Sequence, residues 1–391
     1  MNSHRIHWMV TLQQVFYPAL AAVGIPCEYS ASKSWSCWVI KRLIGRLSFR
    51  NRNNCNRISF SRHKMALLIY VLPSANTITF LIIWRRNCML SMSSAFYLMA
   101  ISVADNLVLT FIVVLELSLK YHQQEPYWSH EPWCNLRDVF NYGAYNASTW
   151  LVVLFTAERF ISIHTWKIKA KLCTPRCAIW TILITFVFSH LSATPYYWSN
   201  ASIREDNLTS CVYKPELQIQ FVHTLVWFQT LQAYVFPFLV IVTLNGLTLR
   251  LISLSSRVQA PLLRSRSRKS VVLLVTVSMS FVLLSVTRAI TQIILRTTDM
   301  YTLDRDDYDR TINVAADIGT MLCLSNAAAN MYLYVCTQSR FRQEFLAWVR
   351  QLTYFSGGFP KEVRRNLVLL RLFIFEKAKR ITEQVTEFLS G

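Results

Sequence analysis

Glycine, proline and charged residues are all scarce in this sequence of 391 residues. With only 8 glycines and 11 prolines, the chain is neither collagen-like nor of low complexity. Charged residues make up 16% of it, whereas a soluble domain carries about 25%. Aromatic residues make up 13%, which excludes a disordered chain. The composition therefore disfavours a set of soluble domains.

Motifs of catalysis and of metal binding are also missing. The sequence contains no Gly-x-Ser-x-Gly, no phosphate-binding loop and no Cys-x-x-Cys pair. Its 8 histidines are scattered without the spacing of a metal site. We therefore expect that the protein is not an enzyme and that it has no catalytic metal or organic cofactor.

Long apolar stretches are abundant, and hydrophobic residues make up 53% of the chain. Seven stretches have about 20 residues or more, enough for a helix to cross ~30 Å of hydrocarbon. They are residues 65–84, 94–119, 142–163, 178–198, 219–251, 271–295 and 311–335. The sequence thus predicts an all-α fold, a bundle of seven transmembrane helices in a lipid membrane. No internal repeat is evident, so an inverted-repeat transporter receives no support.

The net charge of +20 comes largely from residues that flank these stretches. Basic residues without an acid between them fill the loops after spans one, three and five: Arg85, Arg86, Lys167, Lys169, Lys171, Arg176, Arg250, Arg257, Arg264, Arg266, Arg268 and Lys269. The positive-inside rule places these loops in the cytoplasm and the amino terminus outside. The charge then faces anionic lipid, and nucleic acid is not an expected partner. A multi-pass protein of the plasma membrane is the expected location.

Two cysteines and two glycosylation sequons fall on the predicted outer side. Cys134 lies at the outer mouth of span three, and Cys211 lies in the loop between spans four and five. An oxidising compartment permits a disulfide between them, although two separate thiols would also fit. Asn200 and Asn207 each begin an Asn-x-Ser/Thr sequon in the same loop, where a glycan is accessible.

Several short motifs occur in the order and at the depths found in one receptor superfamily. Glu158-Arg159-Phe160 closes span three and resembles the Asp-Arg-Tyr motif of rhodopsin-like G-protein-coupled receptors. Asn330 to Tyr334 resembles the Asn-Pro-x-x-Tyr motif, with Met331 in the place of proline. Further matching positions are Asn76, Asp105, Trp180 and Pro237. After span seven, Ser339 opens a predicted short amphipathic eighth helix with Phe341, Phe345 and Trp348 on one face.

Within that superfamily the chain looks most like the orphan receptors of the 139/142 type. The similar pieces include residues 16–26, 97–100, 195–198, 244–245 and 316–318. This resemblance implies an extracellular ligand that is a peptide or a small aromatic, amino-acid-like amine. It also implies a heterotrimeric G protein, of the Gq class, as the cytoplasmic partner. It further implies that Cys134 and Cys211 are bridged.

The resemblance assigns roles to residues at both ends of the bundle. Glu158, Arg159, Phe160, Asn330 and Tyr334 would couple the receptor to its G protein. The alternative for Arg159 is an arginine that extends from the membrane end to phosphate headgroups. The ligand-binding residues would be Asp138, Tyr142 and Arg288. The alternative for these is a structural ion pair between Arg288 and Asp138.

Asp105 is an acid at mid-membrane, where a charge is costly unless it is paired or hydrated. By resemblance its neighbours are Ser148, Asn326 and Asn330. Their oxygen atoms suit a hard cation, which makes Na⁺ a candidate ligand. A water-filled hydrogen-bond network without an ion is the alternative.

Span six departs from the pattern of these relatives. It reads Ser285-Val286-Thr287-Arg288 where they carry Trp-Ala-Pro-Arg. Without proline the helix keeps its backbone hydrogen bonds and should be straighter. Two alternatives to a signalling receptor therefore stay open: a transporter or channel with seven spans, and an inactive receptor product.

Residues 27–74 do not fit the pattern, because they carry nine basic residues and one acid on the predicted outer side. Removing them joins residues 15–26 to 75–84, which restores one span and a Gly-Ile-Pro-x-Asn sequence. The edges of the segment are also compatible with splice signals, which suggests a retained intron; the alternative is a genuine outer extension. We accordingly divide the chain into an outer segment 1–64, a receptor domain 65–337, and an eighth helix with a tail, 338–391.

Overall fold

A computed structural model describes Met9, Leu12, Gln13 and Phe16 and residues 75–85, 90–114, 129–164, 170–205, 208–214, 219–255, 261–297 and 309–355. The segment 27–74, the Asn207 sequon and the tail beyond residue 355 all lie outside this part of the chain. Within it the protein is almost entirely helical. The predicted fold class, an all-α bundle of transmembrane helices, is confirmed.

In the described residues, seven helices form the bundle, and an eighth follows it. They are α1 (Ala75–Arg85), α2 (Met92–Val108), α3 (Trp133–His164), α4 (Pro175–Ala193), α5 (Ile219–Thr230 and Phe236–Ser255), α6 (Pro261–Thr297), α7 (Thr311–Thr337) and α8 (Ser339–Phe355). A π-helical turn, Leu231–Val235, joins the two parts of α5, and α2 continues into a π-helical turn, Leu109–Val114. A 3-10 turn, Thr194–Trp198, extends α4.

Local sequence explains where several of these helices begin. The Ser91 hydroxyl caps α2 by accepting a hydrogen bond from the Ser94 amide over 3.3 Å. The Thr174 hydroxyl caps α4 in the same way, at 3.2 Å from the Cys177 amide. Pro175 and Pro261 are the first residues of α4 and α6, a position where the missing N–H of proline costs nothing.

Five helical stretches in the described residues are long and apolar enough to cross a membrane: Met92–Ile112, Pro175–Trp198, Gln220–Leu251, Val271–Leu295 and Thr311–Thr337. The described part of α1 is only 11 residues long. Helix α3 has 32 residues but a lower hydropathy, because many of its buried side chains are polar. These include Asn135, Asn146, Ser148, Thr149, Thr156, Glu158 and Arg159. Their burial inside the bundle reconciles a polar sequence with a central helix.

Two helices are longer than the apolar stretches predict. Helix α3 begins at Trp133, nine residues before the predicted 142. Its first turns contain the polar residues Asn135, Arg137 and Asp138, so the hydropathy of the sequence did not mark them as part of the helix. Helix α6 begins at Pro261, ten residues before the predicted 271. Its first turns are basic, so the hydropathy of the sequence did not mark them as part of the helix. Hydropathy therefore marks the membrane-embedded part of a helix and misses the part that projects beyond it.

A two-stranded antiparallel sheet covers one end of the bundle. Strand β1 (Asn200–Glu205) pairs with β2 (Leu208–Tyr213), so that Ser202 lies opposite Cys211. The disulfide between Cys134 and Cys211 ties β2 to the first turn of α3, as the sequence predicts. The Ser202 hydroxyl also donates to the Ser129 carbonyl over 2.7 Å. We call this end of the bundle the hairpin end.

Helices α6 and α7 form the most extensive helix–helix contact in the described part of the chain. Gly319 makes the close approach possible, because a Cβ atom there would lie 2.8 Å from the Arg288 backbone nitrogen. The neighbouring atoms are backbone, so they cannot rotate away.

We expect Gly319→Ala to destabilise the protein by about 1–3 kcal/mol, the usual effect of overpacking a tight core. Gly246 is the matched control, since nothing lies within 4 Å of a Cβ atom there, and alanine favours helix by about 1 kcal/mol. Thermal unfolding of the purified variants measures both effects. Equal melting temperatures for the two variants would contradict the close α6–α7 approach.

Candidate functional site

Glu158 and Arg159 form a buried ion pair near the last turn of α3, at the end of the bundle opposite the hairpin, which we call the Arg159 end. The two residues are 6% and 8% exposed. Arg159 Nε donates to Glu158 Oε2 over 2.6 Å, and Arg159 Nη2 donates to Glu158 Oε1 over 2.7 Å. Such two-pronged, charge-assisted bonds are strong and directional. The arginine is folded into the bundle, unlike a residue that extends to lipid headgroups. Phe160 follows it and is half-buried.

Three serines at the start of α2 surround this pair, and we call Ser91, Ser93 and Ser94 the serine cradle. Ser93 Oγ donates to Glu158 Oε1 over 2.6 Å, and Ser94 Oγ donates to Glu158 Oε2 over 3.4 Å. Arg159 Nη2 donates to Ser91 Oγ over 2.9 Å. These three serines were not predicted from the sequence. The available signal was a serine N-cap directly before the apolar run of α2.

Asn330 and Tyr334, the other predicted coupling residues, lie on α7 and are both buried. Asn330 Nδ2 donates to Asp105 Oδ2, so this residue belongs with Asp105 at mid-bundle. The Tyr334 ring packs edge-on against Phe341 of α8, with 5.8 Å between ring centroids. Phe341 and Phe345 are buried on the face that α8 turns toward the bundle.

Asp105 is 1% exposed and is satisfied by two neighbours from other helices. Ser148 Oγ of α3 donates to Asp105 Oδ1 over 2.6 Å, and Asn330 supplies the second bond. Asn326 lies one turn earlier on α7 and is also buried. Three of the four predicted residues, Asp105, Ser148 and Asn330, are thus joined by hydrogen bonds between α2, α3 and α7. A carboxylate, a hydroxyl and an asparagine carbonyl are the oxygen donors that suit a hard cation such as Na⁺.

Arg288 lies on α6 toward the hairpin end and is held by two uncharged partners. Its Nε donates to the Tyr234 hydroxyl over 3.0 Å, and its Nη1 donates to Thr320 Oγ1 over 2.8 Å. The described residues provide no carboxylate in ion-pair distance of it. A half-buried guanidinium with polar neighbours and no counter-charge among the described residues has the chemistry to bind an anion.

Aromatic residues line the neighbourhood of Arg288. The Tyr145 ring lies 5.8 Å from the Tyr234 ring, and the Tyr145 hydroxyl accepts a hydrogen bond from the Cys323 thiol over 3.2 Å. Tyr234 also packs against Phe238, at 6.0 Å between centroids. These tyrosines and Thr320 were not predicted, because each becomes a neighbour of Arg288 only through the packing of α3, α5, α6 and α7.

The structure places Asp138 against the β-hairpin and Tyr142 against the 3-10 turn that follows α4, and it does not join Asp138 to Arg288. Asp138 accepts hydrogen bonds from Arg137 Nε over 3.3 Å and from Asn200 Nδ2 over 2.8 Å. The Tyr142 ring stacks on Tyr196, with 4.1 Å between centroids. The structural Arg288–Asp138 pair, the alternative from the sequence, is therefore not what this arrangement contains. The Asp138 carboxylate instead accepts a hydrogen bond from Asn200 of the hairpin.

Asn200 is 1% exposed, and its Nδ2 atom, the atom that carries a glycan in a sequon, is the donor to Asp138. This burial argues against a glycan at Asn200 in the folded state. The second sequon, at Asn207, lies outside the described residues. Asn146 also begins an Asn-x-Ser sequence. Its side chain is buried in a reciprocal amide pair with Gln229.

The helical order, the disulfide from α3 to the hairpin, the buried acid on α2 and the Glu158–Arg159 pair point to one family. The family model described as "7 transmembrane receptor (rhodopsin family)" matches residues 75–334. This protein belongs to the rhodopsin family of seven-transmembrane receptors. The receptor is accordingly no enzyme; it is a multi-pass membrane protein whose partners are a ligand and a G protein.

Proposed function

We propose that the receptor binds a peptide or a small aromatic, amino-acid-like ligand between Arg288 and the tyrosines around it. The observation that carries the proposal is the Arg288 guanidinium, which has hydrogen-bond partners but no carboxylate among the described residues. An arginine fork matches a carboxylate with two parallel hydrogen bonds. The ligand then supplies the missing negative charge.

Two further features support an amino-acid-like ligand. Asn141 lies one turn before Tyr145 on α3, and its Oδ1 atom is buried without a hydrogen-bond partner. That oxygen is suited to accept a hydrogen bond from a ligand N–H group. The Tyr142 and Tyr196 rings form a stacked wall near the hairpin end, where an aromatic ligand group gains contact. Tyr142 thus contributes as part of this wall. Asp138 contributes by holding the β-hairpin beside it through Asn200.

At the Arg159 end we propose coupling to a G protein, of the Gq class, through Glu158, Arg159 and Phe160, with Asn330 and Tyr334 transmitting the change. The Arg159 end would face the cytoplasm and the amino terminus the outside, as the basic loops indicate. The resemblance to the orphan receptors of the 139/142 type favours Gq. An inactive product stays the second candidate, since α6 lacks the tryptophan and proline of those relatives.

We expect Arg288→Lys to weaken the ligand response about tenfold and Arg288→Ala about thirtyfold or more, because an ammonium cannot reproduce the arginine fork. The assay is calcium release in cells treated with aromatic amino acids, their decarboxylated amines and their methyl esters. Arg137→Lys is the matched control at the same end. Responses to the amines and esters equal to those of the acids, or an unchanged curve for Arg288→Ala, would remove Arg288 from the site.

We also propose that Asp105, Ser148, Asn326 and Asn330 hold Na⁺. The expected result is a melting temperature several degrees higher in NaCl than in choline chloride, since an ion bound only by the folded state stabilises it. Asp105→Asn should abolish the difference, because it removes the charge that holds the cation. Equal melting temperatures in both salts for the wild-type receptor would favour the network without an ion.

A further inference from the structure

The described residues near the amino terminus are helical, and one of them binds α7. Met9, Leu12, Gln13 and Phe16 are in helical conformation, and their spacing of three and four residues places them on one face of a helix. Met9 and Gln13 are 0% and 5% exposed. Gln13 Nε2 donates a hydrogen bond to Asp317 Oδ2 near the beginning of α7. This buried amide therefore ties the amino-terminal residues to α7.

Asp317 lies one helical turn from a group that holds Arg288. It is the one acid in the sequences of α6 and α7, and Thr320 follows it by three residues, about one turn. Thr320 Oγ1 accepts the hydrogen bond from Arg288 Nη1 over 2.8 Å. Gly319, between the two, lies against the Arg288 backbone. Asp317 is thus the carboxylate of these two helices that is placed to become a counter-charge for Arg288.

Electrostatics favours such a pair, because a guanidinium without a counter-charge inside the bundle is costly. The described bonds of Arg288 use its Nε and Nη1 atoms, so its Nη2 atom can still bind a carboxylate. In the described structure, however, Asp317 is not within ion-pair distance of Arg288. Its carboxylate accepts the Gln13 amide instead. Hydrogen bonds to a charged group are strong, so this bond can oppose the attraction between the two charges.

We propose that Gln13 keeps the Asp317 carboxylate away from Arg288, so that the guanidinium stays open to the carboxylate of a ligand. Gln13 and Asp317 are positioning residues, since they act through Arg288. This proposal rests on the ligand role of Arg288 proposed above. The amino-terminal residues then set the affinity of the site for acids without touching the ligand.

The first test is calcium release by the full-length receptor in response to phenylalanine. Gln13→Leu keeps a buried side chain of similar size but removes the donor. The half-maximal concentration should rise about tenfold, because only the fraction of receptors with an open Arg288 binds the ligand carboxylate. The curve for phenethylamine, which lacks the carboxylate, should not shift. Leu12→Ala is the matched control, because the neighbouring Leu12 side chain is 39% exposed, and it should leave both curves unchanged.

A second change distinguishes this role from simple support of the fold. Gln13→Leu/Asp317→Asn should restore the wild-type curve for phenylalanine, because asparagine carries no charge that competes for Arg288. A double variant that responds as poorly as Gln13→Leu would overturn the proposal, and so would an unchanged curve in Gln13→Leu itself. Surface labelling checks that each variant reaches the membrane. Gln13→Met, with a side chain of nearly equal length, replaces Gln13→Leu if the latter does not fold.

A double-mutant cycle separates this proposal from the proposed function, because it uses neither ligand nor G protein. Melting temperatures of Arg288→Gln, Asp317→Asn and the combined variant measure the coupling between the two side chains. The cycle is carried out once in the wild-type background and once in the Gln13→Leu background. Coupling that appears only in the Gln13→Leu background supports the proposal, whereas equal coupling in both backgrounds, or none in either, overturns it. If the wild-type receptor responds to no amino acid, the proposed ligand class fails, and this cycle still decides whether Gln13 holds Asp317 away from Arg288.

Discussion

Replacing Arg159 by alanine is expected to abolish nucleotide exchange on the G protein, with or without ligand, while ligand binding at the hairpin end persists. Arg159 lies five residues before the end of α3, and Arg288 lies toward the opposite end. The alanine variant also leaves the buried Glu158 carboxylate unpaired, which costs about 3–5 kcal/mol. Loss of folding must therefore be separated from loss of coupling.

Arg159→Lys makes that separation. Lysine keeps a positive charge beside Glu158 but loses the planar fork, so the variant should reach the cell surface in normal amounts and still exchange nucleotide poorly. Surface labelling measures the first quantity, and exchange on purified G protein measures the second. Normal exchange in Arg159→Lys would mean that charge alone suffices, and parallel loss of surface labelling would indicate unfolding.

Deleting residues 27–74 is expected to raise the amount of receptor at the cell surface several-fold. The residues on either side of the segment pack along the same helix, α7. Gln13 Nε2 donates to Asp317 Oδ2, and Asn76 Nδ2 donates to the Ala327 carbonyl over 2.7 Å. Phe16 packs into the cluster that contains Leu324 and Ala327. These contacts follow each other down α7, as expected for two parts of one first helix.

The reason for the expected gain is the charge of the segment, because with the amino terminus outside, as proposed, the translocation machinery would have to move nine basic residues to the outer side. Two controls separate charge from length: neutralisation of the nine basic residues in the full chain, and removal of the tail 357–391. Long-read sequencing of transcripts tests the intron hypothesis itself. If nearly all transcripts retain the codons for residues 27–74, the hypothesis is refuted.

The positions of motif residues were predictable from the sequence, because such residues recur at fixed spacings along the spans. Cys134, Cys211, Asp105 and the Glu158-Arg159 pair occupy fixed depths in their spans, so motif order alone indicated both the fold and the set around Asp105. Their helices also follow from hydropathy, since about 20 apolar residues are needed to cross a bilayer.

Partners contributed by other helices were not predictable. Nothing in the sequence near Arg288 indicates Tyr234 or Thr320, which are 54 and 32 residues away. The predicted neighbour of Arg288, Asp138, instead binds Asn200, because the hairpin folds over α3. From the sequence, Ser91 is predicted only to cap the start of α2. Its hydrogen bond with Arg159 depends on the packing of α2 against α3.

The unbroken α6 makes mechanical leverage unequal at its two ends. The helix runs from Pro261 to Thr297, and its backbone approaches α7 closely at Arg288, opposite Gly319. From that contact, ~1.5 Å per residue gives an arm of about 40 Å toward Pro261 and one of about 14 Å toward Thr297. A rigid rod that pivots there multiplies a displacement of the short arm about threefold at the long arm. An ångström of displacement at Thr297 would therefore become about 3 Å at Pro261, without any hinge in the helix.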